Sequence, residues 1–242
     1  MTTMTVHLRS DLLRTVRNRR TLIFTLALPL VVLLTVVSAN RHARIDGISF
    51  PLYFTAAMAA YGALFAVFSP GSRIAVDRAS GWTRQLRITP LRARTYFLAK
   101  VLTAYLVVLP TLAVVYLAGT ALGVHLSAAH WLEMTGLLLL GLVPFVLMGI
   151  IVGHLISVDA LAPTVGALVV GFALFGGAFG NFFNSGVMLT VVKLLPSFWL
   201  VRSGQAAVGG GWPLEGWLVV AAWTLVLVPL ACVVYRRDTD RV

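Results

Sequence analysis

The sequence predicts an all-α membrane protein with six transmembrane helices, and three observations carry that expectation. Of its 242 residues 59 % are hydrophobic and only 11 % charged, with a mean hydropathy of +0.93, so the chain cannot solvate its own surface as a soluble domain would. Six apolar stretches approach or reach the roughly 20 residues needed to cross the hydrocarbon core of a bilayer. They are apolar on all faces and lack the alternation of polarity, over about ten residues, that marks a barrel strand.

Taken in order, residues 1–20 are basic and polar, with Arg9, Arg14, Arg17, Arg19 and Arg20. Helical spacing puts Leu8, Leu12 and Val16 on one face and Arg14 and Arg17 opposite, which predicts a short helix lying in the cytoplasmic interface and closing at Arg20. The first span is expected over residues 21–39. Its close in Val37, Ser38 and Ala39 is similar to a signal-peptide cleavage site, but its apolar run of about 18 residues exceeds the usual 7–15, so it is read as a retained span. The remaining spans are expected over residues 50–69, 101–122, 134–156, 162–183 and 217–235. Pro29, Pro110, Pro144 and Pro229 fall inside spans, where membrane helices tolerate them as kinks.

Charge sets the orientation. Five basic residues precede the first span, seven lie between Arg73 and Lys100, and Arg236, Arg237 and Arg241 close the chain; Arg41, Arg44, Lys193 and Arg202 fall on the opposite side. Because Lys and Arg near span ends resist translocation, both termini and residues 70–100 are expected in the cytoplasm, with 184–216 outside it. Trp131, Trp212 and Trp217 fall near the expected outer boundaries, where indoles favour the headgroup level. The formal charge of +11 raises the question of nucleic acid, but the basic residues sit in short segments flanking apolar runs, so anionic lipid headgroups are the expected partners instead. Cys232 is the sole cysteine and can form no intramolecular disulfide.

No expected span carries Asp, Glu, Lys or Arg near its centre, whereas ion-coupled transporters place ionisable groups there. His154 falls at the cytoplasmic end of the fourth span and is read as reaching the interface. No Gly-x-x-x-x-Gly-Lys-Ser/Thr occurs, so the chain carries no P-loop of its own. An intramembrane enzyme would need a nucleophile with a base, a metal set or paired carboxylates. His-Glu-x-x-His is absent, and Ser185 and His154 are expected near opposite faces, so no catalytic residue and no metal ligand is assigned. That enzyme, acting on lipid or peptide, and a passive channel or scaffold are the alternative functions.

The stretch Asp77 to Lys100, DRASGWTRQLRITPLRARTYFLAK, resembles the first cytoplasmic loop of type 2 ABC exporter permeases, through Asp77, Arg78, Gly81, Leu86, Pro90 and Lys100. RTVRNRRTLIFTLALPL, with Arg17, Asn18 and Pro29, is similar to the family's N-terminal segment, and LLPSFWLVRSG, with Pro196 and Arg202, to the segment before its last span. Asp77 stands where the family usually has Glu, and Trp82 where it usually has Thr. The resemblance implies a single permease domain over residues 1–242 with a cytoplasmic coupling helix between the second and third spans. Asp77, Arg78, Gly81, Trp82, Arg84, Gln85, Leu86 and Pro90 would dock that helix on a separate ABC ATPase, present in two copies. ATP and magnesium would be bound by the ATPase and no cofactor by this chain. A second permease subunit, identical or homologous, would complete the assembly in a bacterial cytoplasmic membrane.

Within the family the likeness is nearest to daunorubicin-type drug and antibiotic permeases, which implies a lipophilic cargo. The resemblance further suggests that the second and fifth spans line the path or the dimer interface, with Tyr61, Phe65, Phe172, Phe175, Gly176, Phe179, Gly180 and Asn181 as candidates. The Gly-x-x-x-Gly spacing of Gly176 and Gly180 would let another helix approach closely. Asp77, the single carboxylate in its stretch, is expected to pair with an arginine such as Arg17 or Arg20.

Overall fold

In the computed structural model the described residues are 19–45, 47–80, 93–180, 186–209 and 211–240. They form ten helices and one two-stranded hairpin, in an all-α membrane protein with five helices long and apolar enough to cross a bilayer.

Helix α1 is Arg19–Ala39, with Arg20 in its first turn; its apolar part, Leu26–Ala39, is shorter than the other five. The chain then turns through Asn40 to Ala43 into β1 (Arg44–Ile45) and β2 (Ile48–Ser49). These pair antiparallel with Arg44 opposite Ser49 and Ile45 opposite Ile48.

Helix α2, Phe50–Ala79, is the axis of the fold. Ser49 is extended at its N-cap and Pro51 occupies the first turn, where a missing N–H costs nothing. Ala56, Ala57, Ala59, Ala60, Ala63 and Ala66 are buried along it. These short side chains let α1, α3, α5 and α6 approach the axis from around it. The helix runs ten residues past the expected end of the second span at Ser69, carrying Arg73, Asp77 and Arg78 on helical backbone. Helix α3, Ala93–Ala121, likewise begins before the expected Val101, so the connection between the two is much shorter than the 70–100 loop anticipated.

The fourth expected span is two coaxial pieces, α4 (Ala128–Gly141) and α5 (Val143–Leu155). It begins six residues before Met134 because the Ser127 side chain accepts from the His130 N–H and caps the first turn. The interruption at Leu142 follows from Pro144 in the first turn of α5, which has no N–H to continue the ladder.

Helix α6, Val158–Gly176, ends seven residues before the expected Phe183. Gly177 takes φ +84°, and the N–H groups of Gly177 and Ala178 bond to the carbonyls of Leu174 and Ala173, the reverse-turn pattern that closes helices at a left-handed residue. Gly176 and Gly180 are therefore not one turn apart on a single helix, and the expected Gly-x-x-x-Gly face does not exist there.

The stretch after α6 is folded into the bundle. It contains α7 (Gly186–Lys193), α8 (Pro196–Val201) and α9 (Ser203–Gly209). Every residue of α8 is buried, and the helix packs on α2, α4, α6 and the last helix, α10 (Leu214–Asp240). Trp212 is also buried, its ring against Gly141. Trp217, by contrast, is exposed in the first turn of α10. Leu227, Ala231 and Val234 of α10 form a separate apolar contact with Ile151 of α5.

Candidate coupling and path residues

At the end of α2 that leads into residues 81–92, three contacts tie the axis to its neighbours. The Lys100 ammonium lies 3.8 Å from the Asp77 carboxylate, with the two side chains 6 % and 24 % exposed. Arg78 Nη1 donates to the carbonyl of Gly153 at 3.4 Å, joining α2 to the last turn of α5. Close by, α2 and α5 cross with backbone against backbone. A Cβ on Gly71 would collide with the Gly149 carbonyl, one on Gly153 with the Gly71 carbonyl, and one on Gly149 would come within 3.0 Å of the Val67 carbonyl. Next to this crossing His154 Nδ1 donates to the Ile150 carbonyl at 2.8 Å, and its ring meets Tyr235 of α10 edge-on at 5.8 Å.

Asp77 and Arg78 are thus held on helical backbone, and one partner of Asp77 is a lysine of α3; its expected pairing with Arg17 or Arg20 involves side chains outside the described residues. Gly81, Trp82, Arg84, Gln85, Leu86 and Pro90 lie outside the described residues, as do Leu8, Leu12, Val16 and Arg17 and the side chain of Arg20.

The path candidates divide into two groups. Tyr61 stacks edge-on against Phe65 at 5.5 Å and Phe179 at 5.6 Å; Tyr61 is fully packed inside the chain, so this trio joins α2 to the segment after α6. Gly176 is equally internal, since a Cβ there would lie 2.8 Å from the Ser197 carbonyl of α8. The Tyr53 hydroxyl donates to the Gly177 carbonyl at 2.8 Å and pins the end of α6 to α2. Phe172, whose ring meets Phe145 at 5.1 Å, and Phe175 instead line an open groove between α6 and α7. Gly180 lies beyond the end of α6, and Asn181 is outside the described residues.

Sequence reasoning missed Gly71, Gly149 and Gly153. The signal was present as GIIVG, two glycines four apart in the fourth span. Among the described residues no three His, Cys, Asp or Glu side chains converge as a metal site would require. Ser185 is outside the described residues.

No family model matches the chain. Over 234 residues it is 23 % identical to "Putative transport permease YvfS" of Bacillus subtilis (strain 168), an alignment covering 95 % of this chain and 95 % of that protein. The likeness runs end to end and supports a transport permease.

Proposed function

We propose that this chain is the membrane-spanning subunit of an ATP-driven exporter, with six spans including α1, working with a second permease and two copies of a separate ABC ATPase. The observation that carries the reading is the end-to-end likeness to a protein named as a transport permease. The ties at the end of α2 supply a mechanism. Residues 81–92 would receive the ATPase, and any displacement of them acts first on the two helices they join, α2 and α3.

Asp77 and Lys100 clamp those two helices together, so they would move as a pair. Arg78 and the glycine crossing pass the motion to α5, and the contact of His154 with Tyr235 passes it to α10. Because α2 lies at the centre of the bundle, a small tilt of this one rod re-sets most of the helix contacts. The cargo in this reading is a lipophilic small molecule, drug, antibiotic or lipid, as the family resemblance implies; of the path candidates Phe172 and Phe175 line an open, apolar groove. The reading is tested by co-expressing the chain with candidate ABC ATPases from the same organism. Gly81→Pro and Trp82→Ala should preserve membrane insertion but lose ATPase binding or uncouple hydrolysis from transport; parental binding and transport in both would refute the coupling role.

A further inference from the structure

We propose that the break between α4 and α5 is a hinge with two positions, exchanged when the Leu139 carbonyl changes its donor from the Tyr105 hydroxyl to the Val143 N–H. The hinge depends only on these helices, not on the exporter reading. Pro144 has no N–H and so removes one rung of the helical ladder, the one to the Leu140 carbonyl. The structure lacks three. The ladder runs as far as the Leu142 N–H, which bonds to the Leu138 carbonyl, and resumes at the Val146 N–H, which bonds to the Leu142 carbonyl, each at 3.0 Å. The rungs from Val143 to Leu139 and from Phe145 to Gly141 are absent along with that of the proline. They fall at the middle of the 28-residue apolar run Ala128–Leu155, where hydrocarbon offers a carbonyl no donor.

The Leu139 carbonyl takes its donor from outside the helix. Tyr105 Oη of α3 donates to it at 2.9 Å, so the interrupted form is held by a bond between helices, which a closed ladder would replace with a local one. An element with two arrangements that satisfy the same polar group is bistable. The two pieces also have different neighbours: α5 is fixed to α2 by the glycine crossing and packs on α10, whereas α4 packs on α8 and α9. At the junction Gly141 has no side chain, and a Cβ there would lie 2.8 Å from the Trp212 ring and 2.9 Å from Leu200. A turn of α4 therefore slides bare backbone past these two side chains. Near its outer end α4 meets α3 again, where the Thr135 hydroxyl donates to that of Tyr116 at 3.3 Å and the Trp131 ring lies 4.6 Å from the Tyr116 ring. Movement about the break parts this contact too, so the separation of the outer ends of α3 and α4 reports the position of the hinge.

The test uses the full-length protein in nanodiscs, made without Cys232 and spin-labelled at Leu117→Cys of α3 and Leu132→Cys of α4, both exposed positions. Leu155→Cys of α5 and Leu225→Cys of α10, also exposed, form an inner pair. Leu132 is about 15 Å along α4 from the break, so a change in tilt of about 20°, the scale of a helix kink, moves it about 5 Å. Electron paramagnetic resonance should give one main distance for the outer pair in the parent and a second, shifted by about 5 Å, in Tyr105→Phe, which removes the bond between helices. Pro144→Ala returns the missing N–H and should make the shifted distance the main one. The inner pair should keep its distance in both variants. An outer distance unchanged in either variant would overturn the proposal, and so would an equal shift of the inner pair, the mark of general loosening.

Discussion

Lys100 on α3 reaches back to within 3.8 Å of Asp77 on α2, pairing the two chain segments that flank residues 81–92. Lys100 is nearly sealed from solvent and Asp77 mostly so. Removing one member of a largely desolvated ion pair costs up to about 3–5 kcal/mol, whereas replacing both with apolar groups of similar size is far milder. Lys100→Met and Asp77→Leu singly should therefore lower thermal stability in detergent more than the double variant does. Additive losses would mean that the two charges are not coupled.

The crossing of α2 and α5 relies on three positions without side chains. Gly71→Leu or Gly153→Leu forces backbones apart, since each new Cβ meets a carbonyl of the other helix rather than a movable side chain. Overpacking typically costs about 1–3 kcal/mol where side chains can yield, and these two sites should exceed that range. Gly166→Leu is the control, because a Cβ there meets nothing within 4 Å. Equal melting temperatures for the Gly71 and Gly166 variants would count against the crossing.

Tyr53→Phe removes one of two donors to the Gly177 carbonyl, the other being the Gly180 N–H at 3.2 Å. The acceptor stays satisfied, so a loss of about 0.5–1.5 kcal/mol is expected for the single hydrogen bond. Its location at the end of α6 predicts faster hydrogen exchange over residues 174–178 than over the rest of that helix. Uniform exchange along α6 would show that the bond does not hold this terminus.

Hydropathy made the apolar runs legible because burial in lipid constrains every residue of a span. Their ends were less so. Whether α6 stops at Gly176 or continues to Phe183 depends on which glycine takes a left-handed conformation, and GGAFG offers three candidates that local pattern does not rank. Helix α2 runs past Ser69 although hydropathy falls there, because Gly71, Arg78 and Asp77 each find a partner on α5 or α3. The pairing of Asp77 with Lys100 joins residues 23 apart in sequence, beyond the reach of any helical spacing rule. Helices α7 to α9 are too short to register as spans, so PSFWLV, wholly buried as α8, read as part of a loop.

Orientation can be tested at two exposed positions. Cysteines at Ser80 and Ala128, in a background lacking Cys232, sit at the end of α2 and the start of α4. The distribution of basic residues predicts that an impermeant thiol reagent reaches Ala128→Cys from outside intact cells and Ser80→Cys only after lysis. Labelling of both from outside would reverse the argument from charge.

The most direct test of the central claim is ATP hydrolysis in proteoliposomes containing the purified chain, with and without a candidate ABC ATPase from the same organism. The account predicts no hydrolysis and no gradient-driven cargo movement by the chain alone, with ATP-dependent transport on addition of the ATPase. Transport driven by a proton gradient in the isolated chain, or an ATPase that neither binds nor responds to it, would contradict the assignment.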